Sequence, residues 1–240
     1  MKFSLTGNSA GERPLSAVPR PVIVILMAAL LMQIGLHGFR SDLESDEQPL
    51  PVPPAEKYLY GLSLGDPVAF SKLLMLWLQG FDHQPGISVP FAQLDYQHVI
   101  AWLDRVLALD RRGHYPLLSA ARIYSEVPDA GKQRQILDFV YRKFLEDPDK
   151  RWPWLAHAVY VAKHRLHDPE LALKYARDLR VYTSASTAPE WARQMELFVL
   201  EDLGDVESAQ ILLGGLIESG EITEPREIEF LKSRLDGGEE

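Results

Sequence analysis

Residues 152–180, WPWLAHAVYVAKHRLHDPELALKYARDLR, constrain the fold more than any other stretch. Apolar positions recur there at intervals of three and four, and Asp168-Pro169 interrupts them, so the segment reads as two amphipathic helices folded back through one tight turn. The pattern repeats. Trp154, Leu166 and Ala172 are matched by Trp191, Leu203 and Ala209, each about 37 residues on, and Tyr115 and Leu117 stand the same distance before Trp152 and Trp154. A period of that length is the mark of stacked helical pairs, each burying its apolar stripe against the next.

The same reading extends in both directions. Asp66 is placed as an N-cap with Pro67 at the first helical position, where a missing N–H costs nothing, and a helix then runs to about Phe81. A partner helix begins near Leu94, with Val99, Trp102, Leu103, Val106 and Leu107 on one stripe. Further pairs are expected at 115–126 with 132–146, 152–166 with 169–182, and 189–203 with 206–219, separated by Pro128-Asp129, Asp168-Pro169 and Gly204-Asp205. Pro225 opens a last helix that could close the stack. No convincing strand is visible, so the fold class is all-α, with residues 57–240 forming the helical domain.

Residues 21–39, PVIVILMAALLMQIGLHGF, contain no Lys, Arg, Asp or Glu. As a helix they would be roughly 28 Å long, which matches the hydrocarbon core of a bilayer. A cleaved signal peptide would need small residues three and one positions before its cut, and Leu36, His37, Phe39 and Arg40 stand in the way, so the segment reads as an uncleaved signal anchor. Lys2, Arg13 and Arg20 precede it; Asp42, Glu44, Asp46 and Glu47 follow it. That asymmetry keeps residues 1–20 in the cytoplasm and sends the large C-terminal part out of it, into the periplasm of a bacterium with two membranes. Residues 40–56, acidic and then rich in proline (Pro49, Pro51, Pro53, Pro54), read as an extended spacer.

Charge and composition exclude several functions. The first forty residues hold Lys2, Arg13, Arg20 and Arg40 against Glu12, which leaves 21 basic and 33 acidic residues over the remainder, a net of −12. A field of that sign repels phosphate backbones, so nucleic acid is not an expected partner. The absence of cysteine removes disulfides, thiolate metal sites and a cysteine nucleophile.

An aromatic opening the first helix of a pair (Trp154, Trp191), a small residue inside it (Ala158), alanine early in the second helix (Ala172, Ala209) and the run LALKYARDL together resemble tetratricopeptide-type repeats. GLSLGDPVAFSKLLMLWLQGF, followed by Leu109-Asp110 and Tyr115, is similar to the lead-in of bacterial single-pass membrane proteins that carry such repeats. The resemblance implies a right-handed α-solenoid of about four helical hairpins with a C-terminal capping helix, and a binding or assembly role. It transfers no catalytic residue.

Candidate contact residues come from the breaks between helices. The loop 82–93 is the longest of them, and Asp82 with His83, and Asp95 further on, could serve acid/base chemistry, metal binding or partner contact. Arg111, Arg112, Lys150 and Arg151 mark loops expected at one end of neighbouring hairpins, a basic rim on an acidic domain, with Trp152 beside them partly exposed. His164 and His167, with His157 nearby, lack the glutamate of a helical zinc-protease motif and suit the carbonyl end of a helix instead. No phosphate-binding glycine loop or serine elbow is present. The expectation is an inner-membrane protein whose periplasmic part is a scaffold for protein partners of the cell envelope. It touches the bilayer through residues 21–39, and no cofactor is implied. The alternative is an envelope enzyme or glycan-binding subunit working through the 82–93 loop.

Overall fold

The structure, a computed structural model, describes residues 19–40, 49–81, 83–84, 87–88 and 93–236, with the backbone alone for 37–40, 83–84 and 87–88. The chain divides into two units, Met1–Asp46 and Glu47–Glu240.

In the first unit, α1 (Arg20–Arg40) follows from an unbroken run of Val, Ile, Leu, Met and Ala, and every side chain described in it is exposed. Among the described residues no helix is long and apolar enough to cross a membrane. The described side chains of α1 stop at Leu36, short of the roughly 20 residues that a span needs.

The second unit is helical among its described residues apart from one two-residue ladder. Its helices are α2 (Glu56–Leu62), α3 (Pro67–Gln79), α4 (Tyr96–Leu109), α5 (Tyr115–Arg122), α6 (Ala130–Glu146), α7 (Pro148–His164), α8 (Pro169–Tyr182), α9 (Glu190–Arg193), α10 (Met195–Asp202), α11 (Val206–Glu218) and α12 (Pro225–Asp236). Aspartate sets most of the starts. Asp66, Asp95, Asp129, Asp168 and Asp205 each accept a backbone N–H of the first turn, at 2.9, 2.8, 3.0, 3.0 and 3.1 Å, ahead of α3, α4, α6, α8 and α11. Each such cap is worth about 1 kcal/mol.

The helices stack in two rows. In one, Gln79 of α3 donates to the Tyr115 hydroxyl of α5 at 2.6 Å, Arg165 just after α7 reaches Glu126 just after α5 at 2.7 Å, and Lys163 of α7 pairs with Asp202 of α10. In the other, Lys143 of α6 pairs with Asp104 of α4 at 2.6 Å, and the Tyr141 hydroxyl of α6 donates to Asp178 of α8 at 2.7 Å. Burial and this bond to Asp178 push the Tyr141 hydroxyl up to about 12. Arg134 and Asp168 meet at 2.5 Å. The hydrogen-bonded partners stand 36, 39, 37 and 34 residues apart for Gln79–Tyr115, Arg165–Glu126, Tyr141–Asp178 and Arg134–Asp168. The spacing seen in the sequence therefore marks the positions that touch. Fully buried alanines at the crossings (Ala120, Ala121, Ala158, Ala162, Ala172, Ala176) let the helices approach closely around Leu103, Phe144, Leu155 and Leu179. A second, smaller core joins Leu213 and Leu216 of α11 to Leu231 and Leu235 of α12.

Asp168 carries two ties at once, the cap to Leu171 and the pair with Arg134, and these hold its carboxyl below the usual carboxylate range. A depressed carboxylate contributes stability that is present above its unfolded pKa and lost as pH falls through the folded one. Asp168→Asn keeps a capping oxygen and loses the charge. The variant is expected to be less stable by up to about 1 kcal/mol at neutral pH, and the gap should close as acid unfolding proceeds below about pH 4. A gap independent of pH in urea titrations would contradict this origin.

Four expectations change. Helix α7 starts at Pro148, not near Trp152; a proline at the first helical position opens it, and Pro153 is carried inside the helix by the buried Leu155, Ala158, Val159 and Ala162. The helix expected at 189–203 is two, α9 and α10, broken at the buried Gln194, whose amide donates to Glu227 of α12 at 2.7 Å. Between α3 and α4, β1 (His83–Gln84) pairs antiparallel with β2 (Ile87–Ser88), His83 opposite Ser88. Finally, the proline-rich stretch is not a free spacer throughout. Leu50 is buried, its carbonyl accepts from His98 at 2.7 Å, and the Pro51 carbonyl accepts from the Trp102 indole at 2.7 Å. Prolines offer no N–H for a helix or ladder, but their carbonyls remain free acceptors, and the side chains of α4 use them.

Candidate functional site

Of the residues singled out in the sequence, Asp82 lies outside the described residues and His83 is known only by its backbone in β1. Asp95, the third member of that idea, is occupied as the cap of α4, where it accepts from the backbone N–H groups of Gln97 and His98. Among the described residues no group of three His, Asp or Glu side chains is placed to hold a metal ion.

The basic rim loses a member. Arg111 and Arg112 are exposed between α4 and α5, and Lys150 is exposed with its ammonium 3.0 Å from Asp147. Arg151 is buried: its guanidinium donates to the Lys143 carbonyl at 2.6 Å and to Glu146 at 2.8 Å. The early start of α7 is the reason, because it puts Arg151 in the first turn and turns it onto the end of α6. Lys143 and Arg151 together hold the Glu146 carboxyl below its usual range against a burial penalty that acts the other way. Arg151 is therefore a tie between helices; of the other three cations, Lys150 is paired with Asp147 and Arg111 and Arg112 are exposed. Trp152 is half-buried, edge-on to Trp191 of α9 with ring centroids 5.7 Å apart; Trp191 is the more exposed of the two.

Helix α7 also presents a row the sequence reading passed over. Trp154, His157, Tyr160 and His164 recur at three and four residues along one side. His157 stacks on Tyr160 at 5.8 Å, Tyr160 lies 4.8 Å from His164, and His114 before α5 lies 6.1 Å from Trp154. Desolvation holds both His157 and His164 below the usual imidazole range, so at neutral pH the row is uncharged. The Trp154 indole N–H and His157 Nε2 are buried with no hydrogen-bond partner among the described residues. On either side run the Arg165–Glu126 and Lys163–Asp202 pairs. An uncharged aromatic strip between ion pairs suits recognition of a peptide or helix more than bond-making chemistry. The signal was in the sequence as a helical spacing of His and aromatic residues, hidden because the histidines were weighed as ligands and not together with Tyr160. At the far end, α11 and α12 enclose a groove of about 430 Å³ lined by Leu213, Ile217 and Leu235 with Lys232 and Asp236 at its edge.

The fold among the described residues is that of an all-α protein. Compared with known proteins, the chain matches no family model, no curated protein and no solved structure.

Proposed function

We propose that the chain is a single-pass protein of the bacterial inner membrane, with its N-terminus in the cytoplasm, whose periplasmic part is a right-handed tetratricopeptide-like α-solenoid that holds protein partners of a cell-envelope complex. The observation that carries the proposal is the contrast between the two units: a helix apolar on every side with no described side chain covered, and a separate stack of helical pairs tied at one-period intervals. A helix apolar all round is stable in lipid or against another apolar surface. Residues 21–39 supply the length for lipid. Stacked hairpins form extended surfaces, and here the α7 row and the exposed Arg111 and Arg112 are what a partner would meet.

The test is crosslinking capture from solubilised membranes, comparing the full chain with Tyr160→Ala/His164→Ala and with Arg111→Glu/Arg112→Glu. A stoichiometric partner held by the full chain and reduced at least several-fold by one of the double variants is the expected result. Equal capture by all three forms contradicts recognition through these residues. Extraction of the full chain by alkaline carbonate contradicts the anchor.

A further inference from the structure

Helices α2 and α3, which both pack on α4, carry exposed apolar residues on their outer sides. On α2, Leu59 turns inward while Tyr58 and Leu62 face out; on α3, Ser71, Met75 and Leu78 turn inward while Val68, Leu73, Leu76 and Trp77 are exposed. Leu64, in the turn between them, is 95 % exposed and sits at φ +50°, a left-handed backbone position where glycine would cost about 1 kcal/mol less. A leucine so exposed and held in that conformation gains little from the described residues around it.

We propose that this face rests on the lipid bilayer, with Leu64, Leu73, Leu76 and Trp77 at the boundary of headgroups and acyl chains. The inference builds on the anchor reading above. Three observations select lipid as the occupant. The chain from the end of α1 to Leu50, whose carbonyl is bonded to α4, is residues 41–49, a reach of at most about 35 Å. Over residues 56–81 the charges are balanced, Glu56 and Asp66 against Lys57 and Lys72, in a chain otherwise strongly acidic, so anionic headgroups do not repel this surface. Its aromatic members are the exposed Tyr58 and the outer edge of Trp77, whose ring also meets Trp102 and Phe81, and both are types that partition to membrane interfaces. The other end differs: α12 presents Arg226, Glu229, Lys232, Ser233 and Arg234 to solvent, the polar outer face a terminal element needs, with Phe230 alone among them.

All five tryptophans lie outside α1, so tryptophan emission reads the second unit alone. The full chain is reconstituted into vesicles of phosphatidylcholine with a minority of phosphatidylglycerol, with and without acyl chains brominated near the headgroup, and co-flotation is scored in parallel. The expected result is co-flotation with a loss of emission up to the share of one tryptophan in five. That loss should vanish in Trp77→Phe and in Leu73→Glu/Leu76→Glu and persist in Trp191→Phe, all with unchanged helical circular dichroism. Co-flotation without Trp77-dependent quenching overturns the inference and leaves the anchor standing; crosslinked dimers through Leu73 in that case would assign the face to a second copy. Failure to co-float overturns both.

Discussion

Replacing Phe144 with alanine is expected to lower the unfolding free energy of the second unit by about 3–5 kcal/mol. The ring is fully buried near the end of α6, a helix that packs against α4, α5 and α7, and truncation leaves a cavity that the surrounding helices only partly collapse. Against a typical total of about 5–15 kcal/mol this is a large fraction, and a marginal unit would unfold at ambient temperature. The neighbour supplies the control. Leu145 is 42 % exposed, so Leu145→Ala one position along should cost about 0.5 kcal/mol or less. Urea titration decides it: the midpoint of Phe144→Ala should fall with little change in slope. Equal costs at the two positions would mean that the inward side of α6 is misassigned.

The second large effect is electrostatic. Glu196 of α10 is a buried carboxylate, and each of its oxygens accepts from one arginine of α8, Arg177 Nε at 2.9 Å and Arg180 Nε at 2.8 Å. Breaking a buried pair from one side leaves the other charge poorly solvated, at a cost that reaches about 3–5 kcal/mol for full burial. Arg177 is mostly open and can turn to water, whereas Arg180 is mostly covered and is left poorly solvated, so Glu196→Ala is expected to cost about 2–3 kcal/mol. Arg177→Ala should cost about 1 kcal/mol or less, because it leaves Arg180 in place and removes a partner already screened by solvent. If chemical denaturation shows Glu196→Ala as mild as Arg177→Ala, the triad is surface decoration and α8 and α10 are joined by apolar packing alone.

The helical starts were legible because they depend on short-range chemistry. Asp66 before Pro67, Asp129 after Pro128, Asp168 before Pro169 and Asp205 after Gly204 each combine a capping oxygen with a turn-forming neighbour, and both act within four residues. The period was legible for a related reason: the residues that must fit together recur in the sequence. Features that depend on distant partners were not. Nothing near Pro51 announces that Trp102 will bond its carbonyl, and a proline run read locally is a spacer. Pro153 read locally is a break, yet it is overruled by buried side chains on the following two turns. The candidate surfaces divide the same way. Arg111 and Arg112 follow a helix end and are open, as their position suggests, whereas Arg151 looked equivalent until α7 began one turn early and folded it against Lys143.

The polar ties between successive helical pairs span 34 to 39 residues, and the longest reach among the hydrogen bonds described is the strap onto α4, at 51. Among the described residues, no hydrogen bond of this network joins the first helices of the second unit to its last. A polypeptide made from its N-terminus can therefore complete each pair as the next one emerges, and the early part never waits, unpaired, for distant sequence. For a chain of this length, the time during which uncovered apolar faces can meet those of neighbouring molecules is set by the arrival of about one period of sequence, not by synthesis of the whole.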